Sequence, residues 1–369
     1  MNSRKFTLML ITVLAMTVQA NAAQIIKFDA PDSGTGAGQG TFTTGINDFG
    51  MVTGQVTDNG NGTHGFVGTP DGGFTDFDAP GANPVIGCTC PSGINDLGAV
   101  TGNYIDTNSV NHGFLRTPEG QIIPFDDSQP PAGTGAGQGT TPEAINDVGE
   151  IAGYYVDGNG AFHGFVRAPE GTITTFDAPG ASEGTVPLSI NNFGVIVGLL
   201  YDANGVGHVF ARTAGGQIRT FDPPHSFTGP TSFGTYSAYI NDLGVIAGSY
   251  FDATTYVVYG FIRELDGQFT EFAAPGAGTV VTSSDEAGTY VNAVNLEGAT
   301  TGNALDNNFE AHSFVRAVNG EATTFDVPGQ AHIPDTDAGS EGVGINVGGV
   351  IAGHWRDSNL TFHGYVRTP

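Results

Sequence analysis

The chain of 369 residues contains the pattern Asn-x-x-Gly-x-x-x-Gly seven times, and this repetition limits the possible folds more than any other feature. Its copies begin at Asn47, Asn95, Asn146, Asn191, Asn241, Asn295 and Asn346, which lie 45 to 54 residues apart. A His-Gly-Phe tripeptide or a variant follows each copy, at His64, His112, His163, His208, Tyr259, His312 and His363. Phe-Asp-Ala-Pro or a variant begins at Phe28, Phe77, Phe125, Phe176, Phe221, Phe272 and Phe325. A fixed order of landmarks at such a period indicates repeated units that share a core with their neighbours.

Each repeat predicts four short strands. The first ends at the Ile-Asn pair, the second is an apolar run after the Asn-Asp-x-Gly turn, the third carries His-Gly-Phe, and the fourth ends at Phe-Asp. Short apolar runs bounded by Gly and Asn are typical of buried strands. Four-stranded units of about 50 residues match the blades of a β-propeller. The sequence therefore predicts an all-β, seven-bladed propeller.

The phase of the repeat predicts how the ring closes. Phe28-Asp29 precedes the first Ile-Asn strand, and the chain ends after a third strand at Pro369. We therefore expect residues 24–28 to supply the missing outer strand of the last blade, next to residues 363–367. Such closure removes the exposed sheet edges that an open array would have to protect.

Composition agrees with one large β domain over residues 23–369. The chain has 58 Gly and 20 Pro, and only 13% of its residues are charged, so no stretch favours a helix. Residues 1–22 show Arg4 and Lys5, a short apolar run and Ala20-Asn21-Ala22, which predicts a secretion signal. We expect an exported protein, periplasmic or extracellular, that is a monomer and not an integral membrane protein.

The charge balance restricts the partners. Without Arg4 and Lys5, nine basic residues remain against 37 acidic ones. Such a surface repels nucleic acid and anionic lipid, whereas it tolerates a neutral or cationic small molecule or glycan. No cofactor motif is evident.

The His-Gly-Phe, His-Val-Phe and His-Ser-Phe tripeptides in a secreted, Gly-rich repeat resemble the bacterial extracellular HAF-type repeat. The resemblance covers about residues 24–369, and Tyr259 departs from the motif. It implies a repeat protein with a propeller-like fold and no particular activity, so it transfers no catalytic residue.

The blade-to-blade loops vary greatly in sequence, at residues 80–93, 130–144, 223–239, 275–293 and 328–344. Variable loops on a constant scaffold commonly carry binding specificity. The first hypothesis is therefore a non-catalytic module that binds a small molecule, glycan or surface partner. The alternatives are a hydrolase or lyase that acts on polysaccharide or lactone, and a structural cell-surface module.

Subtracting the repeat leaves the candidate site residues, which are aromatic or ionisable and occur in single blades. They are Glu143, His225, Tyr236, Tyr239, His332, His354, Trp355 and Arg356. Tyr239 stands where six blades have Gly, Ala or Ser before Ile-Asn, so it and Glu143 are expected at the mouth of a central funnel. Trp355 and the other aromatics could stack on sugar faces.

The repeated polar residues predict structural roles. The histidines are expected to hydrogen-bond a repeated Asn or Asp, and the third-strand arginines (Arg116, Arg167, Arg212, Arg263, Arg316, Arg367) to pair with acids. A ring of aspartates follows the second strands, at Asp58, Asp106, Asp157, Asp202, Asp252, Asp306 and Asp357. Its loops suggest either calcium binding or simple Asx-turns. Cys88 and Cys90 either form a disulfide or remain free.

Enzyme signatures are absent from the sequence. The Gly-rich octapeptide at residues 34–41 and again at 133–140 lacks the spacing of a nucleotide-binding loop. H-E-x-x-H does not occur, and the one G-x-S-x-G match, Gly180-Ala181-Ser182-Glu183-Gly184, lies in a predicted loop and lacks the following helix of a nucleophile elbow.

Overall fold

The chain folds into short antiparallel strands grouped in fours. The structure is a computed structural model that describes residues 23–83, 87–127, 132–229, 234–280, 286–333 and 338–369. The predicted secretion signal lies outside these residues, as do parts of all five variable loops. Within the described ranges there are 28 strands and no helix, and none of those residues forms a helix able to cross a membrane.

Strand β1 is Gln24–Phe28 and precedes the first unit in the chain. The first strands of the units are β2 (Gly40–Ile46), β6 (Thr89–Ile94), β10 (Gly139–Ile145), β14 (Gly184–Ile190), β18 (Thr235–Ile240), β22 (Gly288–Val294) and β26 (Ser340–Ile345). The second strands are β3 (Val52–Thr57), β7 (Val100–Ile105), β11 (Ile151–Val156), β15 (Ile196–Tyr201), β19 (Ile246–Phe251), β23 (Thr300–Leu305) and β27 (Ile351–Arg356).

The third strands are β4 (Thr63–Thr69), β8 (Asn111–Arg116), β12 (Phe162–Arg167), β16 (Gly207–Arg212), β20 (Val258–Arg263), β24 (Ala311–Arg316) and β28 (Phe362–Thr368). The fourth strands are β5 (Gly73–Phe77), β9 (Ile122–Phe125), β13 (Ile173–Phe176), β17 (Ile218–Phe221), β21 (Phe269–Phe272) and β25 (Ala322–Phe325). Units 1 to 6 each take four consecutive strands, from β2–β5 to β22–β25, and unit 7 takes β26–β28.

The fourth partner in unit 7 comes from the other end of the chain. β1 pairs antiparallel with β28, from Gln24 opposite Thr368 to Phe28 opposite Gly364. Units are joined to their neighbours by single parallel residue pairs, such as Gly40 with Phe362. These links group the strands into one sheet of units 7 and 1, one of units 2 to 4, and one of units 5 and 6.

The repeated Asn-x-x-Gly-x-x-x-Gly pattern is explained by local geometry. The Asn side chain accepts a hydrogen bond from the backbone four residues on, as Asn95 Oδ1 does from Ala99 N at 2.9 Å. The first Gly of the pattern has a positive φ, 82° at Gly98, which favours glycine. The second Gly has no room for a side chain, since a Cβ on Gly102 would lie 2.1 Å from the Cys90 carbonyl oxygen.

The same asparagines link each unit to the next. Each Nδ2 donates to the main-chain oxygen of the corresponding Asn in the next unit, from Asn47 to Asn95 and onwards to Asn346. Asn346 Nδ2 in turn donates to Asn47 O at 3.3 Å. All seven side chains are at most 6% exposed, so the hydrogen bonds satisfy groups that water does not reach.

The third-strand arginines do not pair with acids as predicted. Each guanidinium lies over the Phe that ends the fourth strand of the preceding unit, at 4.4 to 5.0 Å from the ring centroid. Their Nε atoms are buried with no hydrogen-bond partner in units 2 to 6. Because an aromatic face attracts a cation and also packs as an apolar surface, cation–π stacking replaces the expected ion pair.

Unit 1 has Gly68 where the other units have this arginine. There Phe74 stacks on Phe28 of β1 instead, with ring centroids 4.7 Å apart. Cys88 and Cys90, whose pairing the sequence leaves open, form a disulfide at the start of β6, with Cα atoms 5.4 Å apart.

Candidate functional site

The first strands of all seven units line one cavity of about 540 Å³. It lies next to the repeated asparagines, because the residues directly before six of them line it, and we call it the axial cavity. Most of its lining is aliphatic or small. The polar side chains that line it include Ser92, Glu143, Tyr239, Asn292 and Glu341.

Glu143 owes its position to an irregularity in β10. The pairing of β10 with β11 shifts between Pro142 and Ala144, which leaves Glu143 outside the ladder. Such bulges redirect a side chain. The same shift skips Thr44, Ser92, Leu188, Asn292 and Val343 in other units, so Glu143 is the one ionisable residue at these skipped positions. Removal from water raises the pKa of Glu143 to about 7.

Tyr239 occupies the position before Ile-Asn, which lines the cavity in all seven units. The bulge of unit 5 lies earlier, between Thr235 and Ser237, and Tyr239 pairs regularly with Ala247. Burial raises the pKa of Tyr239 to about 12, and the charge of Glu143 adds to this rise. The structure thus places both residues in one cavity, near enough to interact electrostatically.

His354 lies behind the cavity wall. It is 4% exposed, its ring packs on Phe42 with centroids 3.9 Å apart, and its Nδ1 lies 3.3 Å from Thr43 O. Phe42 and Thr43 line the cavity, whereas His354 does not. Burial lowers the pKa of His354 to about 3, assisted by the charge of Arg356. His354 is therefore a neutral packing residue between units 7 and 1.

Trp355 and Arg356 also have packing roles. Trp355 stacks on His363 with centroids 4.5 Å apart, as Tyr155 stacks on His163 in unit 3. Trp355 is thus a variant of a repeated aromatic position. Arg356 lies over the Phe362 ring at 4.5 Å. Neither residue lines the axial cavity.

Tyr236 is the bulged residue of β18 and lies beside the cavity. Its hydroxyl donates to Glu286 Oε2, and its ring stacks on Tyr290 at 6.2 Å. Burial and then the Glu286 hydrogen bond raise the pKa of Tyr236. This carboxylate–tyrosine group is separate from the pair of Glu143 and Tyr239.

His225 and His332 are exposed, with 60% and 56% of their side chains accessible. His225 Nδ1 lies 2.9 Å from Glu271 Oε2, and His332 Nδ1 lies 3.3 Å from Glu310 Oε2. Both occur on the connections after fourth strands, in different units, and neither lines the axial cavity. Of the eight candidates, Glu143 and Tyr239 are the two that the axial cavity brings together.

The repeated histidines make the predicted contact with aspartate. In six units the His Nδ1 lies 2.6 to 2.9 Å from the Asp of the Phe-Asp landmark. In five of these, Nε2 faces the aspartate that follows the second strand, at 3.6 to 3.8 Å. That aspartate also accepts two backbone N–H groups with Oδ1, as Asp157 does from Asn159 and Ala161. The aspartate ring therefore has the bonding of Asx-turns, while calcium binding stays a prediction.

Sequence reasoning missed a second cavity of about 430 Å³, lined by Tyr154, Phe162, Glu183, Val186, Tyr201 and Gly205. Burial and then the charge of Glu143 raise the pKa of Tyr154, so this cavity neighbours the axial one. The position of Tyr154 holds Gln55, Asn103, Leu199, Ser249, Asn303 or His354 in other units. The residue type at this position varies from unit to unit, so Tyr154 did not stand out in the sequence. The sequence therefore gave no indication of this cavity.

No family model matches the chain, and no curated protein is similar to it in sequence. Solved structures of similar fold do exist. Virginiamycin B lyase from Staphylococcus aureus has 15% sequence identity and a TM-score of 0.57, and the match covers 94% of this chain and 100% of the lyase. A streptogramin B lyase has 13% identity and a TM-score of 0.56, with coverage of 94% and 98%.

The BP39L lectin from Burkholderia pseudomallei has 11% identity and a TM-score of 0.56, and the match covers 87% of this chain and 94% of the lectin. At such identities the likeness concerns the fold alone. The chain is therefore an all-β protein of propeller type.

Proposed function

We propose that this protein is an exported, closed, seven-bladed β-propeller that binds a small polar ligand in its axial cavity. Closure is supported by the pairing of β1 with β28 and by the Asn346–Asn47 hydrogen bond that returns the asparagine series to its start. Export rests on residues 1–22, and membership of the HAF-type repeat class rests on the tripeptides described above.

The observation that carries the binding proposal is the cavity that holds Glu143 and Tyr239. A tyrosine ring offers both an apolar face and a hydroxyl, which suits the faces and hydroxyl groups of a sugar. Glu143 accepts hydrogen bonds when ionised and can also donate one when protonated. With a net charge of −26, the protein disfavours anions. The ligand class we propose is therefore a neutral or amine-bearing saccharide, bound end-on.

A glycan array followed by calorimetric titration of the mature chain tests this proposal. Glu143→Gln and Tyr239→Ala should each weaken binding about tenfold or more, because each removes a cavity contact from a desolvated site. Glu119→Gln changes an exposed turn residue and is the matched control. Binding that is equal in wild type, Glu143→Gln and Tyr239→Ala would show that the ligand binds elsewhere.

A second candidate function is a lyase or hydrolase reaction on the same class of ligand. It is favoured by the pKa of Glu143, about 7, since a general acid or base works best with a pKa near the working pH. Mass spectrometry of bound saccharides after incubation should then show cleavage by wild type and none by Glu143→Gln. If no saccharide binds at all, the structural cell-surface role becomes the better proposal.

A further inference from the structure

Unit 6 carries a group of side chains of metal-ligating types, and among the described residues the other units have no comparable group. Ligand atoms of Asp306, Glu310 and His312 all lie within 4.8 Å of one another. His332 adjoins them, with Nδ1 3.3 Å from Glu310 Oε2. The group lies on the outer part of the unit and shares no residue with the axial cavity.

The repeat shows what is added in unit 6. In each unit, the residue whose carbonyl accepts from the N–H of the ring aspartate occupies the position of Glu310. The other units have Gly62, Val110, Ala161, Val206, Val257 and Thr361 there. None of these carries a charge. The hairpin turn therefore forms without a carboxylate at this position. The presence of Glu310 needs a separate explanation.

The backbone holds Glu310 against Asp306. Glu310 N donates to Asp306 Oδ1 at 3.0 Å, and Asp306 N donates to Glu310 O at 3.1 Å. Only 14% of the Glu310 side chain is exposed. The two carboxylates lie within 4.8 Å of each other in a partly buried position, an arrangement that a cation between them would stabilise.

His312 is oriented for metal binding. Its Nδ1 lies 2.6 Å from Asp326 Oδ1. In the tautomer with the proton on Nδ1, that N–H donates to the Asp326 carboxylate, and Nε2 carries the lone pair that a metal ion needs. In metal sites, a ligating histidine usually donates the N–H of its other ring nitrogen to a carboxylate, which orients the ring toward the metal ion. Asp326 is held in turn by Gln330 Nε2 at 2.9 Å.

We propose that Asp306, Glu310 and His312, together with His332, bind one divalent first-row transition-metal ion, with Zn²⁺ the ion of best fit. Two imidazole nitrogens and two carboxylate oxygens suit the tetrahedral coordination that Zn²⁺ prefers. The imidazoles disfavour Ca²⁺ and Mg²⁺, which prefer oxygen ligands. The site is distinct from the proposed ligand site, so either can fail without the other.

The experiment is a calorimetric titration of the chelator-treated mature chain with ZnCl₂ in excess Ca²⁺ and Mg²⁺. Wild type should bind about one equivalent. Glu310→Val installs the residue that units 2, 4 and 5 have at this position, and His332→Ala removes an exposed side chain, so both variants should fold. Each should weaken Zn²⁺ binding about tenfold or more. Glu321→Gln removes an exposed acid from the same unit and should leave binding unchanged.

Cobalt supplies a second measurement. Co²⁺ added to wild type should give the intense visible absorption of tetrahedral coordination, and Glu310→Val should lose it. The proposal is overturned if wild type takes up Zn²⁺ only weakly and without saturation, if Glu310→Val and His332→Ala bind as wild type does, or if Glu321→Gln weakens binding to the same extent.

Discussion

Six repeated histidines each lie close to an aspartate of the Phe-Asp landmark, and the exception in unit 5 shows how the contact is maintained. Unit 5 has Tyr259 for the histidine and Ala273 for the landmark aspartate, so both partners are missing together. His225 from the preceding connection binds Glu271 there, and its charge helps to lower the pKa of Asp252. Unit 5 therefore also has a histidine near two carboxylates, but it comes from another part of the chain.

His163→Ala tests the structural role of the repeated histidine. The change removes the 2.9 Å contact with Asp177 and the stacking on Tyr155. Since 57% of the Asp177 side chain is exposed, the orphaned carboxylate stays hydrated, and the expected loss is about 1 kcal/mol of unfolding free energy. Urea unfolding of His163→Ala, Asp177→Ala and the double variant measures the coupling. A loss of ligand binding at unchanged stability would instead assign the histidine to a site.

At the scale of the element, β1 holds the two ends of the chain together. Phe28 is 8% exposed and packs in one cluster with Phe66 and Val52 of unit 1 and Val366 of β28. Two residues in and after β1 add contacts with the C-terminal part of the chain. Lys27 Nζ donates to the Pro328 carbonyl oxygen, and Asp29 Oδ1 contacts His363 Nδ1. A five-residue strand at the edge of one unit thus contributes to the core of two.

Removal of residues 23–30 should therefore destabilise the whole domain. Loss of the buried Phe28 ring alone corresponds to about 3 kcal/mol or more, and β28 also loses its pairing partner. Thermal unfolding compares this deletion with the chain that begins at residue 23, and Phe28→Ala separates the ring from the strand. Identical melting curves for the deletion and the longer chain would contradict the closed ring.

At the scale of the whole molecule, the first strands of seven different units together create the environment of Glu143. All seven first strands line one cavity, and in six of them the residue skipped in the strand pairing lines it too. Burial there removes the Glu143 carboxyl group from water. The pKa of Glu143 rises to about 7 for this reason. In an open array of the same units, water would reach this carboxyl group and its pKa would stay near 4.5.

The pH dependence of stability measures that effect. Because the folded pKa of Glu143 lies above its unfolded value, ionisation opposes folding, and the wild type loses stability as the pH rises from about 4.5 to 7. Glu143→Gln lacks this loss. The unfolding free energy of Glu143→Gln should therefore increase relative to wild type across that range and level off above it, as measured by urea unfolding in a pH series. A difference that is constant above pH 5 would indicate a hydrated Glu143.

Much of the architecture was determined by the sequence itself. The spacing of Asn, Gly, His and Phe predicts short strands and their turns, since each landmark residue satisfies a contact within its own unit or the next. The all-β, propeller-type fold follows, and so does the pairing of residues 24–28 with the last third strand. Arg116 and its equivalents were wrongly assigned to acids, because a sequence shows which residues are charged but not which aromatic face lies opposite.

The tertiary structure alone decided which single-copy residues share a site. A bulge moves a residue to the other face of a strand, so a shift of one position sends Glu143 into the axial cavity. Tyr239 lines the same cavity, at a position that faces it in all seven units. His354 lies behind the wall, in regular pairing with Gly364. Glu310 and His332, 22 residues apart, meet on one unit. These positions depend on pairing register and loop path, which composition and spacing do not encode.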